Sequence, residues 1–316
     1  MSEMKLLIAY DGSRCAESAI DDLKRAGLPD NCEATVISVA EVWLPPASNS
    51  EDIHVTDDPY IEKMVQRHRE KGERALSETK TYSNHAEARI RGLFPSWKLS
   101  SRATYGSPAW EILAAADELS PDLIIVGSQG QSALSRLFLG SISQKVLTEA
   151  HCSVRVARGK IDVEPSPVRA VIGFDSSRGA QGAVDAVAKR KWPDGTEVRL
   201  IAVTDPVTPS AIGRFVPPIS ETVDEVNESE RVWLEELAAG AIETLKDAGL
   251  TATLEIIPGN PKRLIIEEAE RWNADCIFVG ANAFGSRLER FLIGSTSSAV
   301  AARAHCSVEV VRIPTA

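Results

Sequence analysis

Short apolar runs alternate along this chain with longer stretches in which apolar residues return every three or four positions. KLLIAY at 5–10 reads as a strand, and Ala16, Ile20 and Leu23 follow it at helical spacing. ATVISVAEV at 34–42 reads as a second strand, before a proline-bearing loop (Leu44, Pro45, Pro46) and a long charged helix beginning near Asp58. A strand over 98–105 leads into a helix from Ser107, with Pro108 in the first turn, where a missing N–H breaks no helical bond. The run DLIIVG at 122–127 then empties into a glycine-bearing loop, a helix from Ser141 and a last strand, SVRVA. Residues 81–97 do not divide cleanly into helix, loop and strand.

The pattern occurs twice. AHCSVRVAR at 150–158 returns as AHCSVEVVR at 304–312, DLIIVG at 122–127 as DCIFVG at 275–280, and GSPAWEIL at 106–113 as GNPKRLII at 259–266. An Asp-x-Ser follows the opening strand of each half, at Asp11 and at Asp175. Matches in one order over both halves indicate a duplication. The polar, proline-bearing stretch at 159–167 is the linker, which sets domains at 1–158 and 168–316. The second long helix is expected to gather Val232, Trp233, Leu237, Ala241 and Leu245 on one face. Strands separated by helices predict parallel pairing with helices on both faces. The alternation of Val154 and Val156 with Ser153 and Arg155 suits a half-covered strand, and an exposed strand edge needs a partner.

Composition narrows the classes of function. A chain of 316 residues with 43% hydrophobic and 25% charged residues suits two ordinary globular domains. Its net charge of −10 lacks the basic face that nucleic acid demands. Its apolar runs fall short of the roughly 20 residues of a membrane span, and the N-terminus reads as a strand rather than an export signal, so the expected address is cytoplasmic. The five cysteines show no CxxC spacing, which points away from a metal site or disulfide framework and toward small buried side chains at Cys152 and Cys306.

The candidate chemistry sits where the fourth strand of the first half ends, in Gly127-x2-Gly130-x9-Gly140-Ser141. Glycines allow close backbone approach, and a helix N-terminus offers unpaired N–H groups to an anion. Asp11 and Val39 lie at or near the ends of two further strands, where ligands of open α/β sheets collect. Asp11 also suits a helix cap or turn, and Val39 suits the core. Arg136 and Lys145 are candidates to offset phosphate charge, or else solvated helix-face charges; Arg287 and Arg290 read the same way.

This order of residues resembles the ATP-binding subclass of the universal stress protein family, and the HCSV segment of each half resembles that family's closing strand. The resemblance covers nearly the whole chain as two copies. It implies an α/β fold of two tandem five-stranded parallel sandwiches, adenine nucleotide alpha hydrolase-like and Rossmann-like, with last strands that pair as in a dimer. It implies that Asp11 and Val39 line an adenine pocket, that Gly127 and Gly130 pass close to ribose and phosphates, and that Gly140, Ser141 and Ile142 hold the phosphate chain. ATP with Mg2+ is the implied cofactor. In the second half Asp175 and Val203 match the adenine side, and Gly280, Gly294 and Ser295 match the phosphate side. Its loop, however, places four residues between Gly280 and Gly285 instead of two, and Phe284 stands in the register of Gly130. The first half is therefore expected to bind ATP, and the second to bind weakly, to bind something smaller, or to serve as scaffold.

No metal ligand set and no catalytic residue stand out. The sequence has no GxxxxGK(S/T) phosphate loop, GxGxxG fingerprint, HExxH or GxSxG. The expected function is a nucleotide-responsive regulatory module of stress response, not an enzyme, with an unidentified regulatory protein as partner. The halves form an intramolecular pseudo-dimer, and a homodimer of the whole chain is left open. A slow ATPase or nucleotidyl-transferring enzyme, and a nucleotide-free scaffold, are the alternatives.

Overall fold

The computed structural model describes residues 3–42, 59–129, 139–158, 167–205, 217–281 and 293–313. The first half runs β1 (Met4–Ala9), α1 (Arg14–Asp22), β2 (Cys32–Ala40), α2 (Pro59–Leu93), β3 (Lys98–Tyr105), α3 (Pro108–Leu119), β4 (Leu123–Gly127), α4 (Ser141–Glu149) and β5 (Ser153–Ala157). The second half repeats it as β6 (Arg169–Phe174), α5 (Arg178–Ala188), β7 (Glu197–Thr204), α6 (Pro217–Asp247), β8 (Thr251–Pro258), α7 (Pro261–Arg271), β9 (Cys276–Gly280), α8 (Ser295–Arg303) and β10 (Ser307–Val311). Leu44 to Pro46, Gly130, Arg136, Phe284, Arg287, Arg290 and all of the linker except Pro167 lie outside the described residues.

Residues 81–93 prove to be the end of one long helix. Thr79, Ser83, Ala86 and Ile90 form its buried stripe. Two of these four are hydroxyl residues, which thins the hydrophobic signal. Thr79 bonds the Ala75 carbonyl and Ser83 the Lys80 carbonyl, so the hydroxyls are satisfied within the helix. The expected face of α6 needs correcting. Val232, Trp233 and Leu237 are exposed, and the buried stripe is Leu234, Ala238, Ala241 and Leu245. Spacing of four, three and four marks the core side, and the larger residues beside it drew the reading off by about one position.

All ten strands join one sheet, in the order β3-β2-β1-β4-β5-β10-β9-β6-β7-β8. Pairing is parallel within each half, and the halves meet through the antiparallel pair β5–β10. Arg155 lies opposite Glu309, with Val156 opposite Val308 and Val154 opposite Val310. Positions 155 and 309 are equivalent in the repeat, so the pseudo-twofold axis passes through this pair.

The strand at this axis is not half-covered. Arg155 is 0% and Glu309 1% exposed, because helices lie over both faces of the join. On one face a single apolar core runs across the halves, from Ile124, Val154 and Val156 to Val308, Val310 and Ile277. On the other, the first half packs Ile8, Ile20 and Ile125, and the second packs Ile172, Val184 and Phe278. Between these two cores runs a buried chain of charges. Arg155 Nε donates to Asp22 Oδ2 at 2.5 Å and Nη2 to Oδ1 at 3.0 Å. Arg155 Nη1 lies 3.5 Å from Glu309 Oε2, and Arg190 closes the chain on Glu309 Oε1 at 2.5 Å. Signs alternate along it, so each buried charge has an opposite neighbour. Pairing of two identical halves would set Arg against Arg, or Glu against Glu, on the axis.

All five cysteines are free, and Cys32, Cys276 and Cys306 are buried. Burial pushes the Cys32 and Cys276 thiols up to about 12 and Cys152 up to about 11. An acid raised in this way keeps its proton in the folded chain while the unfolded chain releases it. Its contribution to stability is therefore complete below about pH 8.5 and is lost as pH climbs toward the folded value. Unfolding midpoints should accordingly fall steadily above pH 9. Iodoacetamide at pH 8 should label Cys32 and Cys276 only after denaturation; rapid labelling of Cys276 in the native protein, read by mass spectrometry, would contradict this burial.

Candidate functional site

With β1 between β2 and β4, the strand order reverses direction at β1–β4, which opens a crevice at the carboxyl ends of these strands. Asp11 follows β1 there. Its carboxylate accepts the Ser13 N–H at 2.9 Å, shaping the turn, while Ser13 Oγ accepts the Ala16 N–H at 3.1 Å. The helix cap is Ser13, which leaves Asp11 on the crevice wall. Asp175 and Ser177 repeat the device before α5, at 3.1 Å for both bonds.

Gly127 ends β4, and its lack of a side chain serves the fold. A Cβ there would lie 2.9 Å from the backbone carbon of Cys15 and 3.1 Å from Ala16 N, in the first turn of α1. At Gly280 the crowding is tighter, 2.3 Å from the Gly179 carbonyl carbon. Close approach is thus required at both positions by a helix of the same half. Ser143 Oγ donates to the Gly127 carbonyl at 2.6 Å and Ser297 Oγ to the Gly280 carbonyl at 2.5 Å. These bonds seat the first turns of α4 and α8 against the strand ends.

Gly140 and Gly294 are the N-caps of α4 and α8, and neither helix receives a side-chain cap. The contrast with α1 and α5, capped by their own serines, is informative. A glycine at the cap position supplies no side-chain acceptor of its own to the first-turn amides of Ser141 and Ile142, the arrangement an anion uses. The Gly140 N–H itself is spent on the Ser128 carbonyl at 2.8 Å, as that of Gly294 is on Ala281 at 2.6 Å.

A cavity of about 450 Å³ occupies the crevice of the first half. Asp11, Val39, Gly127 and Ile142 line it, with Ser143, Ser38 and Gln129 beside them. Gly140 and Ser141 begin the helix next to Ile142. The outer walls are Thr79 and Tyr82 of α2, and Pro108 and Ile112 of α3. A matching cavity of about 490 Å³ in the second half is lined by Asp175, Val203, Gly280, Gly294 and Ser295. Both volumes suit a small-molecule ligand. The structure thus brings Asp11, Val39, Gly127 and Ile142 together in the first half and Asp175, Val203, Gly280, Gly294 and Ser295 in the second, while Gly140 and Ser141 do not line the first cavity and Gly130 lies outside the described residues.

Ser38 was not singled out by the sequence. It is buried, its Oγ has no hydrogen-bond partner among the described residues, and it borders the cavity. The equivalent residue of the second half is Ala202, also buried. Only its place one residue before Val39 in β2 could have drawn attention to it. The α2 wall was equally hidden, since nothing local ties Thr79 and Tyr82 to a strand end far away in sequence. Lys145 does not face the cavity charge: its Nζ pairs with Glu149 at 2.7 Å and lies 4.0 Å from the Trp110 ring centroid. Behind the crevice, Arg89 and Tyr10 both bond Glu17, and Arg89 reaches Asp21 at 2.6 Å. Burial and the Glu17 carboxylate raise the Tyr10 hydroxyl well above its ordinary range. Among the described residues no group of three or more His, Cys, Asp or Glu side chains could hold a metal ion. No described helix is long and apolar enough to cross a membrane.

Two doubly wound, Rossmann-like halves, each with a cavity at its switch point, define a tandem α/β protein of the adenine nucleotide alpha hydrolase-like fold. The chain belongs to the universal stress protein family, whose sequence pattern matches residues 4–158 and again 169–312. It is 27% identical over 154 residues to the universal stress protein YxiE of Bacillus subtilis, covering 49% of this chain and 98% of that one. A universal stress protein of Mycolicibacterium smegmatis is 30% identical over 206 residues, covering 61% of this chain and 62% of that one. The crystal structure of a universal stress protein from Archaeoglobus fulgidus shares the fold over 98% of this chain and 96% of its own, with a TM-score of 0.56 at 20% identity. Family membership supports a role in stress response.

Proposed function

We propose that the first half binds an adenine nucleotide, ATP with Mg2+, in the crevice of β1, β2 and β4, and that the protein acts as a nucleotide-responsive regulatory module. The observation that carries this reading is the buried Ser38 hydroxyl, unpartnered among the described residues, on the wall of a cavity that also gathers Asp11, Val39, Gly127 and Ile142. An unsatisfied buried hydroxyl is costly, and a ligand that bonds it removes the cost. The uncapped first turn of α4 supports the placement of the phosphates at Gly140 and Ser141. Mg2+ would arrive on the phosphates and keep its waters, since no protein cage for it stands among the described residues. In the second half, Ala202 removes the hydroxyl, and that cavity is assigned to weaker binding or to scaffold. No catalytic role is assigned to either half.

Calorimetric titration with ATP and Mg2+ tests the reading. One tight site is expected, and Ser38→Ala should weaken it roughly fivefold, the effect of one neutral hydrogen bond. Bound nucleotide should also raise the unfolding temperature in a concentration-dependent way. Absence of binding in the wild-type chain would overturn the proposal, and two equal sites would overturn the asymmetry.

A further inference from the structure

The arginine that closes each half is used by the other half. Arg312, just past β10, reaches the end of α4: its Nη2 donates to the Leu147 carbonyl at 2.7 Å and to Thr148 at 3.3 Å, and its Nη1 to Cys152 at 3.4 Å. Arg158, the equivalent residue past β5, reaches the end of α8, where its Nη1 donates to Ala304 at 2.6 Å and Ala302 at 3.1 Å. A cation at a helix C-terminus meets both the last carbonyls and the negative end of the helix dipole. Burial pulls both guanidinium groups below the usual arginine range, as expected where carbonyls rather than carboxylates face the charge. Nε of Arg312 and both Nε and Nη2 of Arg158 are buried without a partner among the described residues. Their hydrogen bonds to protein are thus concentrated on the opposite half's helix end.

The helices so held are the two that open on the cavities. α4 has nine residues, a rigid rod of about 13 Å. Its far end carries Gly140 and Ser141, and Ile142 lines the cavity. Ser143 ties the front of the rod to β4 of its own half, and Arg312 ties the back to β10 of the other. Ser297 and Arg158 do the same for α8.

We infer that Arg312 and Arg158 are crossed positioning residues: each holds the cavity helix of the opposite half, so the first site is complete only when the second half is docked. The effect on ligand affinity rests on the nucleotide reading above; the effect on the helix does not.

The full-length chain carrying Arg312→Met, and separately Arg158→Met, tests this by hydrogen–deuterium exchange without nucleotide and by ATP titration. Arg312→Met should speed exchange over residues 141–149 and leave 295–303 unchanged, and Arg158→Met should do the reverse. ATP affinity at the first site should fall about tenfold in Arg312→Met and stay within about twofold of wild type in Arg158→Met. Arg312→Lys, which keeps a cation near the same carbonyls, should recover part of both losses. A merely structural pair of arginines would loosen both helices alike in either variant. That result, or unchanged exchange in α4, would overturn the inference, as would unaltered ATP affinity in Arg312→Met. If the wild-type chain bound no ATP while the crossed exchange pattern held, the nucleotide reading would fall and the crossed clamp would stand.

Discussion

Replacing Arg155 by methionine is expected to lower the unfolding midpoint of the protein by roughly 10 °C, a loss of about 3–5 kcal/mol. The side chain is wholly buried between two apolar cores, and it pairs with both carboxylates of the charge chain, Asp22 and Glu309. Its removal leaves Asp22 with the Ser307 hydroxyl at 2.8 Å and Glu309 with Arg190. One hydroxyl does not offset a buried carboxylate, so the penalty is that of an uncompensated charge rather than of a lost contact. Adding Asp22→Asn to the variant should recover part of the stability, because the second change removes the stranded charge. Thermal unfolding of both variants and of the double variant measures the coupling. A loss below about 1 kcal/mol in Arg155→Met would place the network among weak surface pairs.

Gly280→Ala is expected to cost about 1–3 kcal/mol or more in the absence of any ligand. The added carbon would sit 2.3 Å from the carbonyl carbon and 2.6 Å from the Cα of Gly179. Both are backbone atoms, so no side chain can swing away and α5 itself must retreat. Gly127→Ala should cost less, since its nearest neighbour is at 2.9 Å. The comparison separates two uses of glycine at a strand end. If these positions were small only to admit a ligand, the ligand-free variants would melt with the wild type. If they are small to admit the first turn of a helix, both should melt lower, with Gly280→Ala the lower of the two.

That distinction shows how far the sequence could be read. Gly127 borders the crevice, yet from sequence it looks like a ligand contact because spacing does not reveal which neighbour needs the room. The neighbour is Cys15, more than a hundred positions away. Asp11 was legible because an Asp two residues before a helix-capping Ser is a local device, stamped twice on the chain. Ser38 was not, because a serine in a strand carries no mark of whether its hydroxyl will find a partner. From sequence Arg155 reads as the polar side of a half-covered strand, which is what alternation predicts for an edge; the second half covers that side and turns the same residue into a buried ion.

By itself the sequence determined the duplication, the order of strands and helices and the parallel halves, because these follow from short-range periodicity and from a repeat that can be counted; the meeting of the closing strands is implied by the family resemblance. Only the tertiary structure decided which charges lie on the axis between the halves, what each strand-end glycine makes room for, and which helix each closing arginine holds. Those outcomes depend on side chains brought together from distant parts of the chain, where burial sets their energy and no local pattern records it.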